Sequence, residues 1–404
     1  MMSARRALVL VLVGMLTATV TWAQSKESDP LWFSIRLWGE TTDNRDSVGD
    51  DDKEDNVDAA VQPKIGVRLS GESSDIKLSY APAYRYRSDP SPIQNEEEWH
   101  HDLDLLLGFQ ATPTLRLSVD ERFNYTDDPS LEMFGSTLRR DSSYNMNRLT
   151  LSANAGLGER HSVTLRGHHM VKRYDDDVVG DESDEDRIEA GAGLRRQITR
   201  TVGVEFDVDW MDFDSENSLG LERGFQSIMA GVGVDKTLGE NARADLRVGW
   251  QTVDYTLEEL ESEDSVFASL RVTGKPGAAA RVTAEAQYGI RNSYAFPFVS
   301  QEHTHVFAEV LMDASQSIVF GLSAEYRIED YSEETLPAAV RATREASNLA
   351  TSGEETTLLA KAHLTLKLDD DFAVTLAQLY EDVDSDVFTT FTRNATRLSV
   401  SKRF

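Results

Sequence analysis

The residues of this chain with the capacity for chemistry are charged side chains that recur at every second position, and no catalytic signature accompanies them. Between 75 and 87, Lys77 and Arg85 share one side of an extended segment while Ile76, Leu78, Tyr80, Tyr84 and Tyr86 share the other. Applied along the chain, the same spacing gives one set of candidate lining residues: Lys77, Arg85, Asp102, Asp104, Arg116, Asp120, Arg166, Arg195, Glu205, Arg243, Asp245, Arg247, Arg271, Arg281, Glu285, Arg327 and Lys361. Asp207, Glu189, Glu309 and Glu325 carry the same phase. Side chains of both signs along one face can neutralise each other and hold water, or they can select a charged solute that passes them. Neither sign dominates, which favours mutual pairing.

Other reactive groups carry less. His303 and His305 lie two apart and share a face, but two ligands make no metal site without a third. His168 and His169 point to opposite faces. No nucleophile elbow, paired-histidine zinc helix or phosphate loop occurs, so neither a catalytic residue nor a metal ligand is assigned. Acidic runs at 43–58 and 175–186 could supply oxygens to Ca²⁺, yet neither shows the spacing of a calcium loop, and no cofactor is expected. Like-charge blocks of this kind ordinarily stay solvated and self-repelling.

These faces need strands to hold them. Alternation over 10–15 residues recurs clearly at 75–87, 242–250, 280–291, 318–328 and 358–368, as a strand with one wet and one dry face requires. The connections alternate strictly between two kinds. Short turns fall at 71–73, 111–113, 158–160, 198–200, 239–241, 275–277, 313–315 and 369–371. Longer polar loops fall near 41–58, 88–98, 127–142, 175–186, 214–224, 257–264, 292–302, 331–353 and 382–388. These connections imply eighteen strands, with sixteen as the alternative because 127–147 and 331–353 divide less cleanly. The predicted fold is all-β: a transmembrane antiparallel up-and-down barrel, with turns periplasmic and loops extracellular.

The rest of the chain fits an exported barrel. Arg5 and Arg6 precede an apolar run from Ala7, and Thr21-Trp22-Ala23 supplies small residues, so 1–23 reads as a cleaved signal peptide and 24–404 as one barrel domain. No later segment is apolar enough for a spanning helix. There is no cysteine, hence no disulfide framework. A net charge of −29 argues against a phosphate-backbone partner, and no nucleic acid is expected. The negative mean hydropathy does not exclude a barrel, since only alternate residues would meet lipid. A secreted β-sandwich would also alternate, but it needs neither the long–short rhythm nor the C-terminal Phe404.

Each strand running toward a long loop ends near an aromatic residue, in the series Trp38, Tyr86, Tyr125, Tyr174, Phe213, Tyr255, Tyr294, Tyr331 and Tyr380. Tyr86, Tyr125, Tyr174, Phe213, Tyr294 and Tyr380 are expected to form the outer girdle, whereas Trp38 and Tyr255 are out of phase with their dry face. The chain ends on Phe404 after Leu398 and Val400, which resembles the signal read by the barrel-assembly machinery, although Lys402 interrupts the alternation.

From about Thr201 onward, a phrase recurs in which a glycine leads to an aromatic end and an acidic loop: Gly249-Trp250-Gln251-Thr252-Val253-Asp254-Tyr255, Gly289 to Tyr294, and Gly321 to Tyr331. In this the chain resembles the putative β-barrel porin 2 type, Gram-negative outer-membrane barrels often associated with exopolysaccharide production and export. The resemblance implies a bacterial outer-membrane location, contact with lipid and lipopolysaccharide, and passage of a polar solute or polysaccharide. It supplies no catalytic residue. A barrel that merely anchors adhesive acidic loops is the rival expectation, with an enzyme set in the wall a more distant one.

Overall fold

The computed structural model describes residues 30–45, 47–88, 96–126, 143–175, 184–215, 223–293 and 297–404. The expected signal peptide and the girdle candidate Tyr294 lie outside these, as does most of the acidic run 175–186. Eighteen strands follow in order: β1 (Leu31–Thr42), β2 (Asn56–Ser70), β3 (Ser74–Arg87), β4 (Glu97–Thr112), β5 (Leu115–Thr126), β6 (Tyr144–Leu157), β7 (His161–Tyr174), β8 (Glu185–Gln197) and β9 (Val202–Asp214). The second half comprises β10 (Phe225–Leu238), β11 (Ala242–Tyr255), β12 (Glu263–Gly277), β13 (Ala280–Asn292), β14 (Ser300–Asp313), β15 (Ile318–Tyr331), β16 (Gly353–Lys367), β17 (Phe372–Ser385) and β18 (Phe391–Arg403). Among the described residues, one α-helix, α1 (Ala338–Ala346), sits in the connection between β15 and β16.

Each strand pairs antiparallel with its sequence neighbours, and β1 pairs with β18 from Ser34↔Arg403 to Thr42↔Ala395, so the sheet closes with no free edge. Closure satisfies the backbone amides that hydrocarbon would leave unpaired. The strand number is eighteen, not sixteen.

Large apolar side chains cover the outside: Leu194, Phe206, Val208, Val232, Val248, Leu270, Leu322 and Leu376 are all exposed. A continuous apolar belt of this kind suits a lipid solvent and would aggregate in water. Val248, halfway along β11, is 48% exposed. Val248→Arg places a charge at mid-height, and by the general cost at the bilayer midplane it is expected to destabilise the barrel by about 2–4 kcal/mol. A lower urea midpoint for unfolding from liposomes would show it, and an unchanged midpoint would place this face elsewhere than in lipid.

At the turn end, Gly158 and Gly239 occupy left-handed conformations (φ +78° and +68°) that side chains disfavour. Two turns sit two or three residues later than the sequence suggested. β4 continues through Thr112, so Pro113-Thr114 makes the turn, and β12 continues past Pro276 by a register shift between Gly274 and Gly277, which leaves Ala278-Ala279 as the turn. A bulge accommodates the proline, which cannot donate to the ladder.

At the loop end the inner side carries three apolar clusters among the described residues. Met211, Phe213, Phe225, Val253, Ile290 and Val299 form one buried apolar cluster; Tyr144, Met146, Met170 and Tyr174 form a second; Phe298, Tyr331 and Leu336 form a third. This corrects the girdle. Tyr174 (8% exposed) and Phe213 (2%) point inward, as do Trp38, Tyr255 and Tyr331. Apolar clusters on the inner side of these strand ends take up the aromatic residues, which narrow the mouth instead of touching lipid. Tyr86, Tyr125 and Tyr380 stand on the outward phase, joined by Tyr84 and Trp99, whose rings lie 5.3 Å apart.

Candidate functional site

The inner wall toward the turn end carries many charged side chains. All seventeen candidate lining residues stand on the inward phase of their strands, but the structure distributes them among different settings. On β7 to β13 they pair across strands, except for Arg243 with Asp245 of the same strand. Arg166 Nη2 donates to Asp209 Oδ1 at 2.8 Å, and Arg247 Nη2 donates to Asp209 Oδ2 at 2.7 Å and also to Asp207. Arg195 grips Asp235 with two nitrogens at 2.8 and 2.9 Å, Arg243 meets Asp245 at 2.7 Å, and Arg271 meets Glu285 at 3.0 Å. Forked guanidinium–carboxylate pairs fix geometry as well as charge. With Glu205, all of these groups except Arg195 and Asp209 border a recess of about 590 Å³ that opens into the lumen.

Glycines make room for them. A Cβ at Gly191 would overlap Asp209, and one at Gly203 would overlap Asp235 and lie 2.5 Å from Arg195 Nη2; one at Gly193 would lie 2.5 Å from Glu205 Oε1. The charged chains therefore lie flat along the wall instead of crossing the lumen. Aromatic rings use the same device: Phe267 lies over Gly231 and Gly249, Trp32 over Gly66, and the Arg247 guanidinium sits 4.6 Å from the Phe267 ring.

Asp209 and Asp235 are absent from the candidate list above. Asp209 shares the phase of Glu205 and Asp207, so phase alone marks it. The partnership of Arg195 with Asp235, 40 residues apart, depends on strand order and has no local signal.

The other candidates lie apart from this recess. Arg85 binds Asp58 at 2.5 Å, and Arg45 binds the same carboxylate at 3.0 Å, so Asp58 lies within the wall and not in an acidic loop. Asp102 accepts from Asn124 and Gln62, Asp104 accepts from Ser79, and Asp120 meets Arg122 at 3.3 Å. Arg327 meets Glu325 at 3.3 Å, beside His305, which lies 3.2 Å from the same carboxylate, and His303, 3.6 Å from Glu329. The two histidine rings stack 5.8 Å apart, each on its own glutamate. Among the described residues, no three metal-capable side chains converge. Lys77, Arg116, Arg281 and Lys361 have no ion-pair partner among the described residues.

Toward the loop end, connecting segments fold into the mouth. The stretch 297–300 packs against the inner wall, with Val299 in the cluster of Ile290 and Phe213: the ladder between β12 and β13 stops at Ala268↔Tyr288, and Gln251 reaches across to bond both the N–H and the carbonyl of Ile290. The segment 332–352 packs upon it, with Thr335 Oγ1 donating to the Ser300 carbonyl at 3.3 Å and Ala338 N–H donating to Glu259 at 2.9 Å. Its helix α1 follows from an alanine-rich run and stops where Asn348 takes a left-handed conformation (φ +54°). Residues 43–45 and 47–55 dock on β18: Asn44 donates to the Thr392 carbonyl at 2.9 Å, and Asp50 accepts from Thr392 N–H at 3.0 Å. The hydrogen bond from Lys53 holds the Asp50 carboxyl below its ordinary range. At the opposite end, Phe404 donates its N–H to the Phe33 carbonyl, and the two rings lie 5.6 Å apart.

Comparison with known proteins agrees with this architecture. A sequence model described as putative beta-barrel porin 2 matches residues 32–404. Among solved structures, OccK2 (OpdF) of Pseudomonas aeruginosa superposes with a TM-score of 0.50 at 11% identity, covering 93% of this chain and 98% of that one, in a structure with glucuronate. OccAB4 of Acinetobacter baumannii superposes with a TM-score of 0.49 at 12% identity, over 94% of this chain and 99% of that one. No curated protein sequence matches the chain. The bacterial outer membrane is where a barrel of this build and kinship resides.

Proposed function

Because the chain belongs to the putative beta-barrel porin 2 family, we propose that it is a passive outer-membrane channel whose lumen passes polar solutes, with polysaccharide export as the particular traffic its family resemblance favours. The observation that carries this reading is the recess on β7 to β13, where pairs such as Arg247 with Asp207 and Asp209 keep a charged, hydrated wall open beside glycines. Ion pairs exposed to a lumen add little stability. They do present a surface that water and hydroxylated solutes can wet. The lining residues named above are proposed as the solute track. Phe404 is proposed as the residue that the barrel-assembly machinery reads, at the lipid-facing turn end beside Phe33.

An adhesive role finds less support, since 43–45, 47–55 and 332–352 are bound at the mouth rather than projecting from it. The family and structural neighbours are porins, not enzymes.

Swelling of liposomes that carry the refolded barrel tests the proposal. Small sugars are expected to enter and swell them, while liposomes that stay shrunken in every sugar would refute passage. The wall's charge balance gives a second test. Arg247→Ala leaves Asp207 and Asp209 without their shared cation, so the permeability ratio of K⁺ to Cl⁻ is expected to rise several-fold, read as a reversal potential across a salt gradient. An unshifted potential would remove this pair from the ion path.

A further inference from the structure

We propose that the periplasmic mouth holds a binding site for the carboxylate or phosphate group of a solute, built by Arg68, Lys77 and Arg116. The proposal rests on the channel reading and specifies the class of solute that such a channel would receive. Arg68 and Lys77 stand directly opposite each other on β2 and β3, both exposed to the lumen. Like charges in that cross-strand position repel, so the pair costs stability unless an anion lies between them. Arg116 comes from β5 and reaches over β4 toward them. Its path crosses Gly108, where an added Cβ would come within 3.1 Å of Arg116 Nη2.

The three bases border a recess of about 340 Å³ with Asp75 as its one acid, which leaves an excess of positive charge. The contrast lies within the same barrel: Arg166, Arg195, Arg243, Arg247 and Arg271 each have a carboxylate within 3.0 Å. Among the described residues, Arg68, Lys77 and Arg116 have none. Two guanidinium groups and an ammonium in one recess supply forked and single donors together, the set that carboxylate and phosphate oxygens accept. All three lie within a few residues of the turns at 71–73 and 113–114, so a solute would meet them on the periplasmic side.

Calorimetric titration of the detergent-refolded barrel at low salt tests the site without requiring any current. Inorganic phosphate and acetate serve as probes, and their relative affinities separate a phosphate site from a carboxylate site. Saturable binding of at least one of them is expected, weakened at least about tenfold in R68Q/K77Q/R116Q and weakened by added salt. K367Q, a base near the turn end of β16 that belongs neither to this recess nor to the proposed track, should bind like wild type. The single variant R68Q, which keeps the other two bases, should fall between. Equal binding by wild type and the triple variant, or no binding of either anion, would overturn the site. Bilayer currents then separate the two readings: conduction without any response to phosphate refutes the site alone, whereas phosphate binding without conduction refutes the channel alone.

Discussion

Replacement of residues 332–352 by a two-residue turn is expected to raise single-channel conductance several-fold while leaving the barrel folded. The deletion spares the wall, because β15 and β16 already pair up to Tyr331↔Gly353 and a tight turn can join them. It removes α1 together with Leu336, which is almost wholly buried against Phe298 and Tyr331. Those rings lie 5.0 Å apart, and each contacts Phe388, at 6.5 and 5.8 Å. The Arg344 guanidinium, 5.7 Å from the Phe298 ring, covers the same cluster from the helix side. Without this cover, the segment 297–300 loses the Thr335 contacts to Val299 and Ser300, and the mouth widens. A point change acts in the same direction: by the general cost of large-to-small core substitutions, Leu336→Ala should loosen the cluster by about 2–5 kcal/mol and lengthen the open intervals of a flickering current. Conductance unchanged by the deletion would mean that another segment sets the narrowest point.

The second large effect concerns a single atom group in the wall. Gly249→Val is expected to abolish refolding, because its Cβ would overlap the Ala230 carbonyl oxygen and lie 2.6 Å from the Phe267 ring. A side-chain tip can swing away, whereas a backbone carbonyl in a ladder cannot. The cost therefore exceeds the roughly 1–3 kcal/mol of ordinary overpacking. Gly167→Ala is the matched control, since nothing lies within 4 Å of a Cβ there, and its effect should stay within about ±0.5 kcal/mol. Heat-modifiable migration on gels reads both. A folded Gly249→Val barrel would show that Phe267 does not rest on this strand.

Much of this fold was legible because two of its rules are local. Period-two alternation places Lys77 and Leu78 on opposite faces whatever the rest of the chain does, and turn residues such as Gly158 and Gly239 mark where strands reverse. The lining candidates follow from the same phase. Three things were not legible. Tyr174 and Phe213 resemble girdle residues in sequence, and only the inward folding of the loop end, seen in Ile290 and Val299 packing against Phe213, turns them into interior seals. The grip of Arg195 on Asp235 requires strands β8 and β10 to be brought near across β9, with Gly203 opening the space between. The position of the β12–β13 turn was displaced by a bulge around Pro276, which depends on pairing and not on residue type.

The central claim is an aqueous path through the barrel, narrowed at its extracellular mouth, and single-channel recording in planar bilayers tests it most directly. Refolded wild-type protein is expected to give discrete, salt-dependent current steps that a small polyethylene glycol added to the extracellular side reduces and a large one does not. Bilayers that contain correctly folded barrels yet remain silent, both for wild type and for the 332–352 deletion, would contradict it.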